Sequence, residues 1–371
     1  MNNFCSYPWT GLDINSQGQI RPCCKYKDFI ADNIDDYLAS PQLQKLKDQF
    51  LNGQKPIGCI RCWNDEDAQL PSKRIIDFQH VFNGIHNTNS LKVLSLSFGN
   101  TCNLTCRTCS SYASSKWVAN EKKLSKIFPN IKIHKNNTFY KDNQFFEKIK
   151  SLSSEIIEIT FAGGEPFIAG VNEQLDYLDY LTSFNNSQNI TLNYYTNTTT
   201  FPNKKFWTKW KKFKKVNVCM SIDGIEQQFE YLRYPADWNN CYKNIKKYQE
   251  YKDQYNNLQL SISTTVSTMN ILSLNKFIIW CFKEKLPFPH FGMVEYPDYY
   301  DVRTLPLEIK NLIKNKMQSS SLQSIVNYMM QYKEVKLELT KKFIDEVDAV
   351  RNQDFSSIFP EIAYIFESNK Y

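Results

Sequence analysis

The chain has 371 residues, 42% of them hydrophobic and 15% aromatic, which excludes a disordered chain and leaves room for one large domain and a smaller one. Lys and Arg outnumber Asp and Glu by 45 to 38, and the resulting charge of +7 is spread along the chain, so it permits an acidic partner without demanding one. The cysteine count is eleven, an odd number, and the start MNNFCSYPWTGLD lacks a basic stretch followed by an apolar one; a signal peptide and a disulfide framework are therefore not expected, and a reducing, cytoplasmic setting is.

Residues 1–88 read as loop-rich and carry Cys5, Cys23, Cys24, Cys59 and Cys62. Between the cysteine groups, SPQLQKLKDQFLNG predicts a helix: Ser40 is the N-cap, Pro41 the first helical residue, Leu43, Leu46 and Phe50 the apolar stripe, and Gly53 the stop. Cys59 and Cys62 form a close pair in GCIRCW. Such thiols could hold zinc or an iron–sulfur cluster, and their spacing alone does not separate the two.

From 91 to 296, strand-like runs alternate with helical patterns. The runs are 91–98, 155–163, 189–197, 215–223, 258–266 and 289–294. Leu175, Leu178 and Leu181 mark one helix between them. Cys241, Ile245 and Tyr248 mark another, and Leu274, Phe277, Ile278 and Cys281 a third. This alternation predicts an α/β fold of parallel strands with helices outside, a partial (β/α)6 barrel over 89–300. Period two places Asn217, Cys219 and Ser221 on the lumen side with Asp223, which makes Cys219 a candidate hydrogen-atom donor or a small core residue. In KKFWTKWKKFKK, Phe206, Trp210 and Phe213 fall on one helical face, so the lysines read as its wet side and a nucleic-acid surface is not expected. ILSLNKFIIWCF is too short to span a bilayer. Glu295, Asp298, Tyr299, Tyr300 and Arg303 follow the last strand and are candidates for substrate contact or loop packing. Residues 301–371 read as an amphipathic helical extension.

Three thiols stand on the loop after the first barrel strand, in GNTCNLTCRTCSS: Cys102, Cys106 and Cys109. Three thiolates on one iron–sulfur cube leave one iron open to another ligand. The spacing, together with GGEP at 163–166 and SIDG at 221–224, resembles the radical S-adenosylmethionine (SAM) superfamily. The resemblance implies that Cys102, Cys106 and Cys109 hold a 4Fe–4S cluster. It implies SAM contacts from Gly163, Gly164, Glu165, Pro166, Thr196, Asn197, Ser221 and Asp223, and from Arg233, which is similar to an arginine that meets the SAM carboxylate. Thr108 stands where the family often has an aromatic residue against adenine, leaving Phe167 or Tyr195 as substitutes.

The amino-terminal segment is similar to half of a SPASM or twitch domain, placed before the barrel. That similarity implies one auxiliary 4Fe–4S cluster on Cys5, Cys23, Cys59 and Cys62, with Cys24 spare. It implies an oxygen-sensitive, SAM-cleaving enzyme served by an external one-electron reductant such as flavodoxin or ferredoxin. A peptide or protein substrate is expected first, and dehydrogenation or epimerisation of a sugar or small metabolite second. An iron–sulfur electron carrier or a zinc-binding adaptor is the alternative of another class.

Overall fold

The computed structural model describes residues 3–81, 90–183 and 187–368. The expected boundary between residues 88 and 89 lies outside the described residues. One eight-stranded sheet organises the chain: β1 (Gly11–Ile14), β2 (Ile20–Arg21), β3 (Val93–Ser97), β4 (Glu158–Ala162), β5 (Thr191–Thr196), β6 (Lys215–Ser221), β7 (Leu258–Val266) and β8 (His290–Met293). Their spatial order is β2-β1-β3-β4-β5-β6-β7-β8. From β1 through β3 to β8 every pairing is parallel, and only β1–β2 is antiparallel.

The six barrel runs become β3 to β8, each trimmed by no more than a few residues at its ends. Their parallel pairing follows from the helices between them, which carry the chain back across the outer face. The predicted stripes sit on Val171–Ser183, Trp238–Gln254 and Leu274–Lys283, and bury Leu178, Ile245 and Cys281.

The amino-terminal segment also supplies the sheet. Gly11 to Ile14 run beside Val93 to Leu96, adding a seventh parallel strand that the barrel pattern does not announce. Leu12 and Ile14 enter the main core while Asp13, on the other face, pairs with Arg21 at 2.7 Å. Four residues are too few for a readable alternation, because β1 borrows its order from β3.

Helix Pro41–Leu51 forms as its caps dictate: Ser40 accepts from the Gln42 amide at 3.1 Å, and Leu43, Leu46 and Phe50 are buried. The lysine-aromatic run is helical over Lys204–Trp210, one turn shorter than its stripe; Phe206, Trp207, Trp210 and Phe213 are buried together. Between 307 and 368 the chain is mostly helical and shares a second core with Val266, Met269 and Trp117. No helix among the described residues is long and apolar enough to cross a membrane.

Candidate active site

The loop after β3 carries Cys102, Cys106 and Cys109, and it is pinned on every side. The Glu165 amide donates to the Thr101 carbonyl at 2.9 Å. The Thr105 amide reaches the Tyr234 carbonyl at 2.6 Å, and the Arg107 amide the Leu232 carbonyl at 2.7 Å. Trp117 Nε1 donates to the Cys106 carbonyl at 3.0 Å. The three thiols lie within each other's electrostatic reach. Burial pushes Cys102 up to about 12, and raises Cys106 and Cys109 as well. Buried thiols of this kind ionise when a cationic group binds them.

The neighbouring strand ends close around that loop. Gly163 and Gly164 have φ of +75° and +53°, and a Cβ on Gly164 would stand 2.2 Å from the Thr101 carbonyl oxygen. Backbone here approaches backbone as only glycine allows. Glu165 has no exposed surface; its carboxylate accepts from Thr196 Oγ1 at 2.8 Å and from the amides of Asn197 at 2.7 Å and Phe167 at 3.2 Å. Burial lifts it to about 7 against the pull of these donors. Glu165 therefore ties the β4 end to the β5 end, and Thr196 is spent on the same bond. Pro166 offers its carbonyl to Gln174 Nε2 at 2.6 Å. Asn197 Nδ2 bridges Asn103 Oδ1 at 2.8 Å and Cys102 Sγ at 3.8 Å.

Asp223 follows Ser221, the last residue of β6, and receives the Thr265 amide at 2.7 Å and Arg233 Nη2 at 2.8 Å. Arg233 Nη1 lies 3.9 Å from Cys106 Sγ. Its Nε is buried with no hydrogen-bond partner among the described residues. Burial alone would lower this guanidinium's pKa, but Asp223 and Cys106 outweigh it and the net shift is upward. A three-thiol loop, a glycine turn and an arginine with an unmade bond thus meet at the carboxyl ends of adjacent strands. The set fits a thiolate-held cluster bearing an anionic co-ligand.

Four of the amino-terminal thiols, Cys5, Cys23, Cys59 and Cys62, line one small cavity with Tyr26 and Arg74. Cys24 is exposed and faces a different, larger cavity. Burial raises Cys5 to about 12 and Cys62 to about 11. Among the described residues no three His, Cys, Asp or Glu side chains are drawn together as ligands of one ion, so these thiols ring a volume instead.

The larger cavity, about 830 Å³, opens between the sheet and the amino-terminal segment. Ser95, Ala162, Tyr195, Ser263 and Gly292 bring β3, β4, β5, β7 and β8 to its wall. Cys23, Lys25, Tyr7 and Lys73 border it and the four-thiol cavity alike. Tyr195 is 43% exposed, to this cavity. Phe167 instead stacks on Tyr194 at 5.3 Å in the aromatic core, closed to any ligand. Cys219 pairs in register with Tyr195 and Ser261 across its neighbouring strands and is 4% exposed; burial lifts it to about 11.

No protein-family profile matches the chain. In sequence it is 27% identical over 171 residues, 45% of this chain and 42% of the other, to a cysteine-type anaerobic sulfatase-maturating enzyme of Clostridium novyi. Over that stretch the chain is similar to a sulfatase-maturating enzyme. It spans less than half the length of the curated relative it matches. Among solved structures it resembles native anSMEcpe with bound AdoMet and Cp18Cys peptide, at 18% identity, 60% of this chain, 58% of that chain and a TM-score of 0.43. It also resembles Streptococcus suis SuiB bound to its precursor peptide SuiA, at 12% identity, 78% and 54% coverage and a TM-score of 0.40.

The residues after β8 are taken up by packing. Glu295 pairs with Arg61 at 2.8 Å, Asp298 with Lys336 at 2.6 Å, and Arg303 with the buried Asp301 at 2.7 Å, while Tyr300 is fully buried. Sequence reading missed Tyr7, Lys73 and Asp77 of the cavity wall, where Lys73 Nζ lies 2.6 Å from Asp77. Their i,i+4 spacing was legible, but which cavity that helix faces depends on contacts distant in the chain.

Proposed function

We propose that this chain is a radical SAM enzyme that removes a hydrogen atom from a peptide or protein substrate. Cys102, Cys106 and Cys109 would hold a 4Fe–4S cluster with SAM on its open iron. Cys5, Cys23, Cys59 and Cys62 would hold a second, fully ligated 4Fe–4S cluster. When bound, the first cluster with SAM supplies a 5′-deoxyadenosyl radical after one electron from an external donor such as flavodoxin or ferredoxin.

The protein's own work is placement and exclusion of water. The Gly163–Gly164 turn offers backbone rather than side chain to the ligand, since Glu165 and Thr196 are bonded inward. Arg233, fixed by Asp223, brings its Nη1 and its charge to the Cys106 side of the site. Ser221 and Asn197 complete the rim. Of Phe167 and Tyr195, Tyr195 is the one that opens to the cavity. The observation that carries the reading is the meeting of the three-thiol loop, the glycine turn and Arg233 at one end of the parallel strands.

The peptide substrate is supported by the matched relative, named for maturing a sulfatase, and by a cavity of about 830 Å³, room for a side chain with its chain neighbours. Cys23 borders that cavity and the four-thiol cavity, so the second cluster would stand beside the substrate and could take an electron from it.

Anaerobic reconstitution with iron and sulfide, then SAM and dithionite, is expected to yield 5′-deoxyadenosine. Intact clusters with no 5′-deoxyadenosine would replace the enzyme by an electron carrier, and zinc in place of iron by an adaptor. Deuterium passing into 5′-deoxyadenosine from a labelled sugar but from no labelled peptide would move the substrate to the metabolite class.

Cys219 is the candidate hydrogen-atom donor to a substrate carbon radical; the thiyl radical left behind would regain one electron from the external donor and one proton from solvent. Cys219→Ala should then keep forming 5′-deoxyadenosine while solvent hydrogen no longer enters the product. An unchanged product would make Cys219 a packing residue.

A further inference from the structure

Three guanidinium groups surround the cysteine loop, and two of them have carboxylate partners. Arg233 is held by Asp223 at 2.8 Å. Arg107, between Cys106 and Cys109, is buried completely, ion-paired with Asp348, bonded to Gln353 Oε1 at 2.9 Å and stacked 4.0 Å over the Tyr231 ring. The third is Arg351, at the end of helix Leu337–Arg351 in the carboxyl-terminal extension.

Arg351 is 7% exposed. Its guanidinium lies 4.6 Å over the Trp117 ring and 5.1 Å over the Tyr234 ring. Its Nη2 donates to the Thr105 carbonyl at 2.6 Å, directly beside Cys106. Nε and Nη1 are buried and have no hydrogen-bond partner among the described residues. No carboxylate there forms an ion pair with it, and its electrostatic neighbours are Arg107, Tyr300, Cys106 and Tyr231. Burial and Arg107 pull its pKa down to about 10, which still leaves it charged at neutral pH.

A buried cation without a counter-charge is costly, and proteins keep one where a negative group completes it. The neighbour able to supply that charge is the Cys106 thiolate with whatever it holds. We propose that Arg351 is the buried counter-charge of the cluster on Cys102, Cys106 and Cys109, so that the carboxyl-terminal extension sets how readily that cluster accepts its electron. The inference rests on the function proposed above. Reduction adds negative charge to the cluster, and a fixed positive charge nearby favours the reduced form. Arg351 is a positioning residue through Thr105 and an electrostatic one through its charge. Arg233 differs in having a carboxylate of its own, Asp223, as counter-charge.

The test is an EPR-monitored redox titration of the full chain, reconstituted anaerobically, with the open-iron cluster recognised by its response to SAM. Arg351→Gln should lower its midpoint, with reduction disfavoured roughly tenfold, or about 59 mV for one electron. Arg351→Lys should restore most of the shift, and Lys341→Gln, on the solvent side of the same helix, should leave it unchanged. If Arg351→Gln does not fold, Arg351→Met, whose unbranched apolar chain can fill the space over Trp117 and Tyr234, is titrated in its place. A midpoint equal to wild type in a loaded, folded Gln or Met variant overturns the proposal. A wild-type protein with no SAM-responsive cluster overturns the function above and this inference with it; an unchanged midpoint beside a normal wild-type signal overturns this inference alone.

Discussion

Glu165 illustrates how one residue can stand in a motif for a reason the motif does not state. Its place in GGEP suggests a ligand contact, yet its carboxylate takes three protein donors and joins two strand ends. Glu165→Gln turns an amide NH2 toward at least one of those donors, a loss of about 1–3 kcal/mol. The pH dependence is specific. Burial raises Glu165 from 4.5 to about 7, so the native state retains a proton that the unfolded chain has released between those values. Wild-type stability accordingly falls as pH climbs through that window and levels above it, and Gln lacks this fall. The difference in melting temperature between the two proteins should therefore narrow from about pH 5 to about pH 8. A gap that stays constant over that range would mean that the carboxylate is ionised throughout.

At the scale of elements, the amino-terminal segment is decided by two adjacent thiols that part company. Cys23 borders both cavities, whereas Cys24 is exposed and borders the larger one without reaching the four-thiol cavity. Cys23→Ala, like Cys59→Ala, should remove one cluster's worth of iron and sulfide from the reconstituted protein. Cys24→Ala should retain the full complement. Iron counts and visible absorbance read the outcome, and loss in Cys24→Ala alone would reassign the ligand. The Cys59-x2-Cys62 spacing was readable because both thiols sit on one short stretch, a 3-10 turn leading into helix Ile60–Asp67. Strand β1 was not, since its order comes from pairing with β3, where Gly11 meets Val93.

For the whole molecule, the carboxyl-terminal extension is the back wall of the cysteine loop. Asp348 binds the buried Arg107, accepts from Tyr231 Oη at 2.8 Å, and receives the Phe355 amide at 2.7 Å. Asp348→Ala leaves Arg107 charged, buried and unpaired, a cost of about 3–5 kcal/mol. Iron retention should fall along with the melting temperature, because Arg107 lies between two cysteines of the loop. Glu361→Ala removes the exposed pair with Lys316 and should change either quantity little. Equal effects from the two substitutions would show that the extension is an independent cap. An amphipathic pattern announced these helices, but no local signal announces where their unpaired cation and carboxylate land.

The strand–helix alternation, the spacings Cys102–Cys106–Cys109 and Cys59–Cys62 and the glycine turn were legible in the chain, because each strand, stripe, spacing and turn is written in neighbouring residues. Period and spacing are local properties, and local physics enforces them. Folded contacts alone reveal that β1 joins the barrel sheet, that Glu165 turns inward, that Phe167 is closed to ligands while Tyr195 is open, and that Arg351 lies behind Cys106. Each of these depends on which distant surfaces burial brings together, and a one-dimensional pattern carries the need for a partner without naming it.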